Sequence, residues 1–162
     1  MLIRPLTDSD LPAILAVYQQ CEDFLALGPN PSASLEMIAS DRALSASQNG
    51  HFCGLIGDGG SLLGIFDFIP AGFNHQPDCA FIELLMVAAP YRAQGLGAQA
   101  LLWLENELRC AGIRLLQAAV QVNNPAALRF WENQGFVRIG PAQAQTDGTV
   151  TYPLEKVLPF AN

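Results

Sequence analysis

With 162 residues the chain is long enough for one domain with a substantial core and too short for two, so residues 1–162 are expected to form a single domain. Hydrophobic residues make up 51% of it, yet no apolar run approaches the roughly 20 residues that span a bilayer; the opening Met1-Leu2-Ile3-Arg4-Pro5 also lacks the layout of a secretion signal, so a cytoplasmic protein with no membrane partner is expected. Lys plus Arg is 8 against 15 for Asp plus Glu, a formal charge of −7, which argues against nucleic acid as a partner.

In chain order, residues 2–6 read as a first strand, and Thr7-Asp8-Ser9-Asp10 offers N-cap candidates for a helix from about Leu11 with Pro12 in its first turn. Gly28-Pro29-Asn30-Pro31 breaks the chain. Residues 34–46 read as a second helix, and 52–56 with 62–69 as a hairpin around Gly57-Asp58-Gly59-Gly60. Phe81, Ile82, Leu84, Leu85, Met86 and Val87 make the central strand over 79–87 a nearly continuous apolar run, the mark of a buried strand, and Pro90 ends it. From 96 to 110, Leu101, Leu104 and Leu108 fall at helical spacing, with Glu105 and Arg109 as an i, i+4 pair and Gly112 as the stop. Residues 113–122 read as a fifth strand. Asn124 then caps a helix with Pro125 at its first position and Gly135 at its end. Residues 137–139 and 150–158 are closing strands around a polar loop containing Asp147-Gly148.

The charge is uneven. Residues 1–80 hold nine acids and two arginines, and 81–162 hold six of each sign, so the whole −7 lies in the first half (2 − 9 = −7; 6 − 6 = 0). That half would attract a cationic ligand such as an amine, or serve solubility alone. Cys21, Cys53, Cys79 and Cys110 are scattered with no Cys-x-x-Cys, which indicates neither a metal site nor a disulfide framework.

The stretch from Val87 to Gly97 joins the central strand to the long helix through a glycine-rich turn. A helix starting there has free backbone N–H groups and the positive end of its dipole, and can hold an anion without lysine. Gly95 and Gly97 would let a phosphate approach the backbone, and Arg92 would add a forked donor at the rim. Gly-x-x-x-x-Gly-Lys-Ser/Thr is absent, which excludes a P-loop. A dinucleotide fold is discounted because five residues separate the strand from Gly95 and no acid closes the next strand.

Arg92, Gly95 and Gly97 resemble the Arg/Gln-x-x-Gly-x-Gly/Ala signature of the GCN5-related N-acetyltransferases. Asn124-Pro125-Ala126-Ala127-Leu128-Arg129-Phe130-Trp131-Glu132-Asn133-Gln134-Gly135-Phe136 is similar to that superfamily's second block, Asn-x-x-Ala-x-x-x-Tyr-x-x-x-Gly-Phe, with Trp131 in the tyrosine position. Together the blocks cover about residues 80–140. The resemblance implies an α/β (α+β) fold with a mixed, mostly antiparallel sheet of six to seven strands, helices on both faces and a splay between strands four and five. It implies acetyl-CoA as cosubstrate, no metal, and an amine acceptor. Met86 and Val87 would pair with the pantetheine arm, and Arg92, Ala93, Gln94, Gly95, Leu96 and Gly97 would hold the pyrophosphate. Asn124 would hydrogen-bond the arm, with Trp131 beside the cofactor.

Acetyl transfer needs a neutral amine, a polarised thioester carbonyl and an outlet for the thiolate. Glu83, the only acid in the central strand, is the candidate base acting through a water; otherwise it is an acid at the strand's exposed end. Asp67 is a second choice. Trp131 cannot deliver a proton as tyrosine does and is read as core packing before chemistry, so the alternatives are a thiolate that leaves unassisted and is protonated by water, or protonation by Tyr91 or Tyr152. The resemblance nominates Glu22, Asp23, Phe24, Phe73 and His75 as the acceptor wall, acid beside aromatic suiting an ammonium group, with loop or core roles as the alternative. The expected activity is acetyl transfer to a primary amine of a small molecule by direct attack. Peptide or protein N-termini, lysine side chains, and a catalytically silent acyl-CoA sensor or partner subunit are the alternatives. The apolar composition is compatible with a homodimer.

Overall fold

In a computed structural model that describes residues 1–159, eight strands form one sheet with helices on both faces. The strands are β1 (Leu2–Pro5), β2 (His51–Ile56), β3 (Leu62–Ile69), β4 (Cys79–Val87), β5 (Leu115–Gln121), β6 (Val137–Arg138), β7 (Gln143–Ala144) and β8 (Val150–Val157). The helices are α1 (Leu11–Gln19), α2 (Glu22–Leu25), α3 (Leu35–Ser47), α4 (Leu96–Cys110) and α5 (Pro125–Asn133). The sheet runs β1-β2-β3-β4-β5-β8-β6, with β7 also on β8; every pairing is antiparallel except β4 with β5.

Local chemistry sets most of these bounds. Ser34 Oγ accepts the Met37 N–H at the start of α3, and Asn124 Oδ1 accepts that of Ala127 at the start of α5. Two differences from the expected elements have physical causes. The sheet gains β7 because two residues of the polar 139–149 loop fold back on β8, a pairing too short to leave an apolar pattern. Strand β5 starts two residues late because the Arg114 and Leu115 N–H groups both donate to the Asp78 carbonyl, tying the turn to β4 first.

The apolar side chains form two clusters, one on each face. Leu6, Ile14, Val17, Tyr18, Ile38, Phe52, Ile65 and Met86 pack beneath α1 and α3. Phe66, Phe68, Ala80, Ile82, Leu101, Leu104, Leu116, Trp131 and Leu154 pack beneath α4 and α5. Within the second face, buried Glu105 of α4 accepts from Arg109 at 2.7 Å and from Lys156 of β8 at 2.5 Å. Among the described residues no helix is long and apolar enough to cross a membrane.

Candidate functional site

Strands β4 and β5 pair over only four residues, from Cys79 with Leu115 to Ile82 with Ala118. The cause lies on the other edge of β4. Asp67 of β3 pairs with Leu84 while Phe68 pairs with Ile82, so Glu83 is an extra residue, a β-bulge. A bulge bends its strand and sharpens its twist. Beyond it β4 stays on β3 and leaves β5, opening a gap between residues 83–87 and 119–121.

The Ala88 N–H donates to the Leu63 carbonyl at 2.9 Å. In an antiparallel ladder, Met86 therefore also turns its backbone toward β3, and Leu85 and Val87 turn theirs into the gap. The Val87 backbone is turned into the gap. Met86 is not turned there: its backbone is committed to Ile65 and its side chain is buried under α1 and α3, which makes Leu85 the second residue with peptide groups facing the gap.

At the end of β4 the chain turns through Ala89–Tyr91, then through left-handed Ala93 (φ 59°) and Gly95 (φ 78°), into α4. The Arg92 N–H donates to Ala89 and the Gln99 N–H to Gly95. Between them, the N–H groups of 93–98 have no backbone acceptor among the described residues, which leaves a row of donors at the positive end of a fifteen-residue helix. Gly95 needs its left-handed conformation. At Gly97 a Cβ would stand 3.2 Å from the Phe130 ring, so its small size lets α4 pack closely on α5.

Arg92 does not point its fork outward. Nε donates to the Val87 carbonyl (2.9 Å), Nη1 and Nη2 grip Asp23 (2.5 and 2.9 Å), and Nη2 also reaches the Gln20 carbonyl (3.3 Å). The pairing raises the Arg92 pKa and holds the Asp23 carboxyl below its ordinary range.

Glu83 is half-buried. Burial pushes its pKa up, the nearby Asp67 carboxylate adds to that, and a hydrogen bond from Gln48 opposes it. Asp67 lies in the interior of the sheet, 3% exposed, and accepts from Ser45 Oγ at 2.7 Å. Asp41 accepts from the Tyr18 hydroxyl at 2.7 Å, and burial raises both carboxyls. The raised pKa lets Glu83 hold a proton to higher pH than a free carboxyl group does.

Trp131 lies in the α4/α5 core, 7% exposed, edge-on to Phe130 and Phe136. Asn124 spends its Oδ1 on the α5 cap, leaving its amide N–H groups for any further contact. Burial, with Glu155 and Asp78 adding to it, pushes the Cys79 thiol up to about 11, so it is a poor nucleophile.

The five expected acceptor residues do not share a pocket. Glu22 accepts the Ala33 N–H at 2.9 Å, Asp23 is held by Arg92, and Phe24 packs on the α1/α3 core. Phe73 stacks on Phe81 at 4.0 Å and His75 is exposed (φ 61°), both toward the start of β4, with Phe81 roughly 20 Å along the strand from its end at Val87. A cavity of about 380 Å³ opens instead beside the end of β5. It is lined by 27–29, 122–123 and 147–150, and the Asn123 side chain ties its wall by donating to the Leu27 carbonyl (3.2 Å). Gly28-Pro29 and Asp147-Gly148 mark it in the sequence, where they look like ordinary turns.

The profile of the Acetyltransferase (GNAT) family matches residues 14–136. An aminoalkylphosphonate N-acetyltransferase of Salmonella typhimurium is 36% identical over 55 residues, which are 34% of this chain and 36% of that protein. The chain thus spans little more than a third of that curated relative. A ribosomal-protein-alanine N-acetyltransferase from Brucella melitensis superposes with a TM-score of 0.72 at 23% identity, covering 98% of this chain and all of that one. Spermidine N-acetyltransferase from Vibrio cholerae, solved with CoA and spermine, superposes at 0.73 and 15% identity over 97% of this chain and 95% of the other.

Proposed function

The chain belongs to the acetyltransferase (GNAT) family, and from that premise we propose that it moves an acetyl group from acetyl-CoA to a primary amine by direct attack. The observation that carries the reading is the gap between β4 and β5 beside a row of unpaired N–H groups at the head of α4. The residues present fit the cosubstrate. The N–H groups of 93–98 suit a pyrophosphate, and the backbone of Leu85 and the N–H of Val87, with Asn124 at the α5 cap, suit an amide-bearing arm. Bound there, acetyl-CoA supplies the thioester acyl group and the thiolate leaving group.

The remaining steps fall to the chain's own groups. The Val87 N–H lies at the open end of the gap and is the donor available to polarise a carbonyl. Glu83 takes a proton from the acceptor's ammonium group through a water, which leaves the neutral amine to attack. The acceptor lies in the cavity beside the end of β5, whose lining residues Val122 and Asn123 directly follow that strand. A small-molecule amine is the acceptor we propose, the aminoalkylphosphonate and spermidine enzymes supporting that class. The ribosomal-protein-alanine enzyme supports a protein N-terminus as the second reading. Burial of Trp131 in place of the tyrosine favours a third, an acyl-CoA-binding protein without turnover.

Calorimetry with acetyl-CoA, followed by thiol release with 2-aminoethylphosphonate, spermine and an alanine-initiated peptide, separates these. Binding with turnover on either small amine is the expected result. Binding without turnover on any member selects the silent reading, and no binding to acyl-CoA removes the proposal. Gly95→Ala tests the cradle. A Cβ in the left-handed conformation costs about 1 kcal/mol, and acetyl-CoA affinity is expected to fall several-fold.

A further inference from the structure

Three elements meet at Arg92. Its Nε reaches back to the carbonyl of Val87, the last residue of β4, which also accepts from the Cys21 thiol at 3.5 Å. Its two terminal nitrogens reach across to Asp23 and Gln20, about seventy residues earlier in the chain. A guanidinium is planar and rigid, so bonds from opposite edges fix the distance between the carbonyl and the carboxylate as a lysine could not.

What Arg92 fixes is α2. Four residues make one helical turn, too short to hold itself. The segment is pinned by Asp23 to Arg92 and by Glu22 to the Ala33 N–H. Shortly after it, residues 27–29 form a wall of the cavity beside β5, held at its first residue by Asn123, whose side chain donates to the Leu27 carbonyl. To serve a phosphate, Arg92 would have to give up an ion pair and two carbonyl contacts, while the backbone row of 93–98 already offers donors.

We infer that Arg92 is a positioning residue for the acceptor cavity and not a phosphate ligand: its guanidinium latches α2, and with it the 27–29 wall, to the end of β4. The inference rests on the acyl-transfer reading for what the cavity receives, though not for the latch itself. A side chain in the cofactor loop thereby sets the shape of the acceptor side.

The test compares Arg92→Gln, Arg92→Lys and the near-isosteric Asp23→Asn, whose position is largely exposed and should leave the fold intact. In the free protein, amide hydrogen exchange over 20–29 is expected to speed up at least tenfold in Arg92→Gln and Asp23→Asn, with Arg92→Lys rescuing part of it. The acetyl-CoA Kd should stay within about threefold of wild type in both, while KM for the best amine of the panel rises at least tenfold and kcat changes less. Exchange unchanged in 20–29, or an acetyl-CoA Kd weakened tenfold by Arg92→Gln but not by Asp23→Asn, overturns the inference in favour of a phosphate role. If the wild type binds no acetyl-CoA the acyl-transfer reading falls, and the exchange result alone decides the latch.

Discussion

Glu83 combines two properties that one residue rarely holds together: it is the extra residue that bends β4, and its carboxyl is raised by burial beside Asp67. Glu83→Gln keeps the size and removes the proton acceptor, and kcat should fall about 100-fold at neutral pH with acetyl-CoA affinity retained. Asp67→Asn gives a sign-determined pH test. A buried acid with a raised pKa keeps its proton in the folded chain after the unfolded chain has lost it. Between the unfolded value near 4 and the raised one, the folded state binds more protons, so stability falls as pH rises through that window. The variant still accepts from Ser45 but carries no charge. Its urea midpoint should exceed wild type at pH 8, with the difference closing toward pH 4, and the acid limb of the pH–rate profile should move to lower pH as Glu83 loses a neighbouring charge. Of these residues, Glu83 was legible as the only acid in an apolar run. Asp67, the second choice as base, lies in the sheet interior, and that burial was not legible because its Ser45 partner is 22 positions away and invisible to local pattern.

At the scale of elements, α4 and β4 were read with the bounds they have, because glycine and proline mark their ends and apolar spacing fills their interiors. Other features were not legible: the bulge that opens the gap, the α2 turn and the two-residue β7 all depend on pairing between distant segments. The packing of α4 on α5 carries its own prediction. Gly97→Leu would drive a side chain into the Phe130 ring, an overpacking that should destabilise by about 1–3 kcal/mol, read as a lower urea midpoint. Pairing it with Phe130→Ala should recover part of the loss. Gly95→Ala, with no neighbour closer than Gln99 at 3.9 Å, gains nothing from that second change.

For the molecule as a whole, α1 and α3 cover β2 to β4 on one face, and α4 and α5 cover β3 to β8 on the other. The first face of β5 is left bare around exposed Ala119, and the cavity lies at the end of that strand. The family resemblance made the sheet, its two helical faces and the splay legible, while the cavity's walls come from three loops whose approach no local pattern encodes. A cosubstrate that fills the gap replaces the pairing β4 lacks there, so saturating acetyl-CoA should raise the folding free energy by about 2.7 kcal/mol at a hundredfold excess over Kd. A thermal scan with and without it measures that gain.

The extra residue in β4 also changes the strand's phase. Before it, Ala80 and Ile82 face α4 and α5; after it, Leu85 and Val87 do, and the even positions Leu84 and Met86 pass to the other side. Even parity becomes odd within one strand. Deleting Glu83 would therefore do more than remove an acid: Leu84 would follow Ile82 in regular alternation, every side chain would keep its face, and the bend that carries β4 away from β5 would be lost. Substitutions designed in this strand must count from a separate origin on each side of position 83.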